Sequence, residues 1–544
     1  MFARIKKSGK YQYLQIVQNR RENKKSIQRV IATIGRLDQM HEKGQVEKLI
    51  RSISRFSEKA LLILSNQTSV HASAQKIGPA LIFERLWKEL GIKKVITGLL
   101  SDRKFEFDVE RAIFLTVLHR LFSSGSDRSC ERWKRDYLIE GAAELSLHHL
   151  YRAMAFLGEE IEEKTERTPF AVRTIKDLVE EGLFEERRDL FTGLDFVFFD
   201  TTSIYFEGQG GQSLGQRGHT KDHRPDLNQM IVGAVIDGRG KPICSEMWPG
   251  NTTDVKSLIP VTDRIRKRFG VGQFCMIADR GMISAGTIVQ LEERKMPFIL
   301  GARMRKVREI KFEVLSRGGR YREVHPEGTS SKDPSPLKVK EVTVENRRYI
   351  ICLNSRQARK DALDREAIIA SLNEKLKTNP KSLIGNKGFR KYLKLDRDKI
   401  TINQKKIDED SRFDGKWVLM TNTHLPAEEV ALKYKELWQV EQVFRDIKSV
   451  FETRPIFHQR NETITGHVFC SFLALVLRKE LDRRLGLKGH DFEWSDIKQD
   501  LRALQEIIIE ENGKSLKIRS EAKGICGKVF QAVGVALPPT IREL

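Results

Sequence analysis

Cysteine is scarce in this chain: Cys130, Cys244, Cys275, Cys352, Cys470 and Cys526 lie far apart, and no C-x-x-C pair occurs. That scatter argues against zinc fingers and against a disulfide framework, and it fits a reducing cytoplasm. Long apolar runs are missing as well. The longest nearly pure one, Phe469 to Leu477, is far short of the roughly 18 residues that would span a bilayer. The opening Met-Phe-Ala-Arg-Ile-Lys-Lys lacks the apolar stretch of a secretory signal, so no membrane partner is expected. Histidine offers one adjacent pair, His148-His149, and adjacent residues do not share a helix face. Negative charge is the other shortage. Against 97 Lys and Arg there are 74 Asp and Glu, a net +23, which favours a polyanionic partner, nucleic acid before an anionic membrane.

A length of 544 residues corresponds to three or four domains at about 150 residues each. Residues 1–65 open with period-two alternation, as in Tyr11-Gln-Tyr-Leu-Gln-Ile-Val, with turns at Ser8-Gly9-Lys10 and at residues 21–25, and read as a small basic β-meander. Residues 66–190 carry helical periodicity and read as an α-helical region, which the resemblance named below makes a DNA-binding one. From Leu194 the pattern becomes α/β. Strands are expected at 195–200, 229–236 and 242–248, a helix at 254–269 with cap candidates in Asn251-Thr-Thr-Asp254, and then strand, helix and strand up to Gly301. Residues 191–304 form the first part of this core, and a mostly β insertion domain spans 305–415. The core resumes over 416–460 with the strand Trp417-Val-Leu-Met-Thr and one helix over about 427–451. Residues 461–544 read as an α-helical end with helices at 467–484 and 494–510.

Chemistry concentrates in that core. Asp200 follows Phe-Val-Phe-Phe and Asp279 follows Cys-Met-Ile-Ala; a carboxylate ending an apolar strand sits at the sheet rim, where neighbouring side chains converge. Asp also ends strands merely because it turns the chain. On the 427–451 helix, Tyr434, Glu441, Arg445 and Lys448 fall within a sector of roughly 60° at 100° per residue, beside an apolar stripe of Leu437, Val440, Phe444, Ile447 and Phe451. A plain i,i+4 pair between Glu441 and Arg445 is the simpler reading of that line. Taken with Asp200 and Asp279, Glu441 completes an all-oxygen set suited to Mg²⁺ or Mn²⁺. Two such ions about 3.5–4 Å apart promote in-line phosphoryl displacement.

These motifs resemble the bacterial insertion-sequence transposases of the DDE class, in the branch whose helix carries Tyr-x-x-Arg-Trp-x-Ile-Glu and a Lys seven residues later. The matching positions are Tyr434, Trp438, Val440, Glu441 and Lys448, while Leu437 stands where the family has Arg. Phe-Phe-Asp200-Thr-Thr, Ile-Ala-Asp279-Arg280 and Trp417-Val-Leu-Met-Thr extend the likeness over roughly residues 190–460. The resemblance implies an α/β, ribonuclease H-like mixed-sheet core interrupted by a mostly β insertion domain, in which Asp200, Asp279 and Glu441 hold two Mg²⁺ (or Mn²⁺) ions. It implies cleavage at transposon-end inverted repeats, transfer of 3′-hydroxyls into target double-stranded DNA, and a homodimer on DNA in the bacterial cytoplasm. Trp417 and Trp438 match positions where a flipped base stacks, though a Trp in an apolar strand also fills cores. Tyr434, Arg445 and Lys448 would contact phosphates. Lys221, Arg224 and Arg280 are further DNA-contact candidates; the first two lie in the polar segment Gly218–Gln229, which also reads as a solvated loop. Arg454-Pro-Ile-Phe-His458 and His467 follow closely enough to approach the site. Two rival functions remain: a nuclease or resolvase on the same core that cuts without joining, and an inactive, domesticated transposase that only binds DNA.

Overall fold

The computed structural model describes residues 2–22, 25–42, 44–53, 71–161, 172–187, 194–325, 337–378, 390–396, 399–511 and 514–543. The turn expected at residues 21–25 lies partly outside them. The chain forms two compact units, one of Met1–Glu89, Ser126–Ser146 and Glu480–Leu544, the other of Leu90–Gly125 and Leu147–Lys479. Both cut across the linear boundaries read from the sequence, because each is closed by segments far apart in the chain.

In the first unit, strands Phe2–Ser8, Tyr11–Glu22 and Lys25–Arg36 form an antiparallel three-stranded sheet. A second sheet joins His71–Lys76 to Gln505–Glu511, Lys514–Arg519 and Ile541–Glu543. The helix expected at 494–510 therefore ends at Ala503. Ile507, Ile508 and Ile509 pair with Ile518, Lys517 and Leu516 on one side and with Ala74, Ser73 and Ala72 on the other. A run of three β-branched side chains favours that extended, two-sided packing over a helix.

The second unit is built on a mixed sheet with strands β1 (Phe196–Tyr205), β2 (Gln229–Asp237), β3 (Pro242–Pro249), β4 (Cys275–Ala278), β5 (Phe298–Ala302), β6 (Leu337–Val344), β7 (Arg347–Asn354) and β8 (Lys416–Thr421). Their order is β6-β7-β8-β5-β4-β1-β2-β3, with Arg322–Glu323 added at the β6 edge. Pairing is parallel for β1 with β4 and for β4 with β5, and antiparallel elsewhere. Helix α1 (Asp254–Phe269) crosses from β3 to β4, and α2 (Ala285–Glu293) crosses from β4 to β5. Val197 and Phe199 of β1 share one core with Leu258, Val261, Ile265 and Phe269 of α1 and Leu291 of α2. Alternation along the strand turns Phe198 and Asp200 to the opposite face. Helices α3 (Ala427–Lys435) and α4 (Trp438–Arg445) pack on the sheet, α3 against β4, β5, β6 and β7, α4 against β1 and β2.

Two expectations are revised here. Strands β6 and β7 belong to the core sheet, since β7 pairs with β8 and β8 with β5. Within 305–415, only the helices Ser355–Thr378 and Gln404–Ser411 and the hairpin Leu393–Asp396/Lys399–Ile402 gather a small core of their own, around Leu372, Tyr392, Leu393 and Ile407. The single helix over 427–451 is also broken. Leu437 and Val440 donate backbone bonds to Tyr434 and Leu437, three residues back, so the turn between α3 and α4 is overwound. Residues Asp446–Val450 form a π turn instead, underwound.

The helix Val109–Phe122 is buried along its whole length, and its two arginines are bonded inside the protein. Arg111 pairs with Glu110, and Arg120 bonds Ser471 Oγ at 2.7 Å and His467 Nδ1 at 2.9 Å.

Candidate active site

The parallel register of β1 and β4 fixes the first two carboxylates. Phe199 pairs with Ala278, the last residue of β4, so Asp200 and Asp279 come next on neighbouring chains, which run about 4.8 Å apart in a sheet. Asp200 is not at a strand end as expected. Thr201, Thr202 and Ile204 are β-branched, and β1 continues to Tyr205 by pairing with β2. It is β4 that stops, and Asp279 leaves the sheet into a short 3₁₀ turn, Arg280–Met282.

A third carboxylate, read in the sequence only as a cap candidate, joins them. Asp254 is the first residue of α1, and Thr253 holds the N-cap position without a side-chain capping bond. Freed from capping, Asp254 accepts a hydrogen bond from Thr201 Oγ1 at 2.7 Å. An Asp at the first helical position, with a Thr already at the N-cap position, is the signal that could have found it. Burial pushes the Asp200 carboxyl up to about 6; Lys221 and the Thr201 amide oppose the rise, and Asp279 and Asp254 add to it.

Lys221 Nζ donates to the Thr201 carbonyl at 2.6 Å and to Thr201 Oγ1 at 3.1 Å, and it lies 3.5 Å from Asp254 and 3.9 Å from Asp200. The expected DNA contact is thus directed into the carboxylate cluster, because three acids on one rim draw the nearest ammonium inward.

Tyr434, in the last turn of α3, donates its hydroxyl to Asp279 Oδ1 at 3.0 Å. Burial and that carboxylate raise its pKa well above the ordinary tyrosine value. Gly301 of β5 makes this approach possible, since a Cβ there would lie 2.2 Å from the Tyr434 hydroxyl. Val440, Val443 and Phe444 bury one side of α4, and Glu441 and Arg445 are exposed. Among the described residues Glu441 forms no ion pair, so the i,i+4 bridge to Arg445 is not made. Glu441 lies between two tethers. Tyr434 is bonded to Asp279, and Lys448 bonds Asp222 at 2.8 Å. Lys448 is the second expected phosphate contact found in an internal pair; burial lowers its pKa and Asp222 opposes the drop.

Of the remaining candidates, Arg224 forms a two-pronged pair with Asp226 at 3.0 and 2.9 Å. Arg280 and Arg445 are exposed, and Trp438 is 60% exposed. Trp417 is half-buried in β8, opposite Cys352. Leu437 is buried, at the overwound turn. His467 Nε2 contacts the Thr453 carbonyl at 3.1 Å and its Nδ1 contacts His458 at 3.1 Å, so both histidines are held in a polar cluster of their own.

The donor set is all oxygen, and burial, with Asp279 and Asp254 adding to it, already disfavours charge on Asp200; a hard divalent cation fits such a set. A mixed α/β sheet with clustered acids on one rim, in a strongly basic chain, defines an acidic-site enzyme acting on phosphodiesters. Residues 192–477 match the transposase DDE domain, and residues 3–68 match the N-terminal domain of IS1634 family transposases. The chain belongs to the DDE transposases of insertion sequences, DNA-transposing enzymes whose DDE domains use divalent metal ions. No curated protein matches it. Among solved structures, the piggyBac transposase synaptic complex with hairpin DNA is similar at a TM-score of 0.39 and 13% identity, over 78% of this chain and 79% of that one. No helix among the described residues is long and apolar enough to cross a membrane.

Proposed function

We propose that Asp200, Asp279 and Glu441 are the catalytic carboxylates of a ribonuclease H-like core, holding two Mg²⁺ or Mn²⁺ ions. The enzyme nicks double-stranded DNA at the inverted repeats of its element and joins the freed 3′-hydroxyls to target DNA, working as a homodimer. The observation that carries this reading is the hydrogen bond from Tyr434 to Asp279. It brings the helix segment with the Tyr-Trp-Glu-Lys signature to the rim where Asp200 and Asp279 are neighbours.

When bound, the metal supplies activated water and charge neutralisation at the phosphoryl group. The chain's own residues supply placement. Tyr434 fixes the Asp279 carboxylate, and the Thr201 hydroxyl fixes Asp254 beside Asp200. Lys221 offsets one of the negative charges that the three aspartates concentrate. Exposed Arg445, Arg280 and Trp438 face solvent and are free to meet DNA, the Trp by stacking on a base. Trp417 is the second stacking position, serving the hairpin step in which the second strand is cut. Residues 1–65 and the helices of 66–190 bind element ends, the helices Ser355–Thr378 and Gln404–Ser411 with the hairpin between them are an insertion between core strands, and the protein acts in the bacterial cytoplasm.

Purified protein with Mg²⁺ and DNA carrying the candidate ends is expected to give nicks and then joined products. Asp200→Ala, Asp279→Ala and Glu441→Ala should each remove both. Cleavage without joining would favour a nuclease, and a Glu441 variant as active as wild type would refute the assignment.

A further inference from the structure

The segment Gly218–Gln229 gives the chemistry above only the charge of Lys221, yet it is held at its base, at its tip and along its length. Gln216 and Gln229 exchange backbone hydrogen bonds at 3.0 and 3.1 Å at its base. Gly218 lies so close to Gly250 that a Cβ would meet its carbonyl oxygen at 2.0 Å. Near the tip, His223 takes a φ of 57°, uncommon for a residue with a side chain and kept only where surrounding contacts enforce it.

Two adjacent residues of opposite charge sit there and reach different elements. The Lys221 amide donates to Ser203 Oγ of β1 at 2.9 Å, and its ammonium to the Thr201 carbonyl at 2.6 Å, beside Asp200 and Asp254. Asp222 Oδ1 receives Lys448 at 2.8 Å and Arg454 at 2.5 Å. The Asp222 and Lys448 side chains are only 7% and 11% exposed, so this pair is a buried tie and not a solvated surface contact. Arg454 and Arg224 lie on the Tyr205 ring, each 5.6 Å from its centroid, which fastens the same loop to the end of β1.

We infer that Lys221 and Asp222 form a positioning clasp that sets the register of the Glu441 helix against the strand bearing Asp200. This inference rests on the proposed carboxylate site. One half of the clasp grips β1 one residue beyond Asp200; the other grips Lys448, seven residues beyond Glu441. The helix between is overwound at 437–440 and underwound at 446–450, so its rotation is not fixed by regular geometry. Tyr434 holds one end, and the clasp holds the other. Neither Lys221 nor Asp222 needs to touch DNA for this role.

The test measures metal binding without DNA, by calorimetric titration of the full chain with Mn²⁺. Groups that orient metal ligands typically change affinity or activity about 10–100-fold when removed, so Asp222→Ala and Lys448→Met should each raise the Mn²⁺ dissociation constant about tenfold or more. Lys448→Arg, which keeps a cation opposite Asp222, should restore most of it. Binding of end DNA in EDTA should be undiminished in Asp222→Ala, because Lys448 and Arg454 keep their charge. Should the alanine variant fold poorly, Asp222→Asn, which keeps the volume and one acceptor, should still weaken Mn²⁺ binding severalfold. Mn²⁺ binding within twofold of wild type in Asp222→Ala, while Asp200→Ala has lost it, overturns the clasp alone. Unchanged binding in both overturns the carboxylate site on which it rests.

Discussion

Replacing Asp200 by Asn should stabilise the metal-free protein, and by an amount that depends on pH. The folded protein holds the Asp200 carboxyl at about 6 against an ordinary 3.8. Between those values it binds a proton that the unfolded chain has released, so stability falls as pH rises across the window and stays low above it. Below 3.8 both states are protonated and the residue contributes nothing. At about 1.36 kcal/mol per pH unit, the rise from 3.8 to about 6 corresponds to roughly 3 kcal/mol lost by pH 8. Asn keeps the shape without the charge and should recover most of it. In the larger unit, with roughly 370 residues, an unfolding entropy of about 2.1 cal/mol/K per residue makes this a gain of about 4 °C. The assay is calorimetric melting of wild type and Asp200→Asn in EDTA at pH 8 and at pH 4. The gap should be near 4 °C at the higher pH and close to zero at the lower. Added Mg²⁺ should stabilise wild type and not the variant. A variant that melts with wild type at pH 8, or a gap that persists at pH 4, would refute the account of Asp200 as a buried carboxylate held above its ordinary range.

Gly301→Ala should push the Tyr434 hydroxyl off Asp279, because the added methyl lies 2.2 Å from it; about 1–3 kcal/mol of stability is at stake. Nicking should fall with it, and an unaltered melt with full activity would disprove the close approach. Arg268→Ala should cost about 3–5 kcal/mol, since Arg268 meets Asp177, Glu180 and Glu181 at 3.1, 2.9 and 2.7 Å with its side chain 6% exposed. Melting of the variant reads this directly, and a loss under about 1 kcal/mol would mean that Lys176, which also reaches Asp177 and Glu180, suffices to hold these acids.

What could be read from the sequence was what local pattern controls. The strands from Phe196 to Ala302 and the α1 helix follow from apolar runs, helical period and cap residues. Asp200 and Asp279 stood out because each follows an apolar run of four residues. What could not be read depended on partners distant in sequence. Nothing near Lys221 tells that its ammonium turns back to Thr201, and Lys448 meets Asp222 across 226 residues. The three isoleucines at 507–509 looked helical until a strand from residues 71–76 was available to pair with them. Strands β6 and β7 looked like an excursion because the strand that ties them to the core, β8, comes 62 positions after β7 ends, at Lys416 against Asn354.

That strand order also sets a timetable for synthesis. β8 lies between β5 and β7 in the sheet, and it begins at Lys416, whereas β5 ends at Ala302. At about 5–20 residues per second on the ribosome, the β5 edge waits roughly 6 to 23 seconds before its neighbour is made. Through that interval the nascent chain carries a buried-type apolar strand with an open side, a template for pairing with another copy. Products truncated before Lys416 would keep that edge permanently, so such products are expected to aggregate, where a chain that includes β8 covers the β5 edge itself.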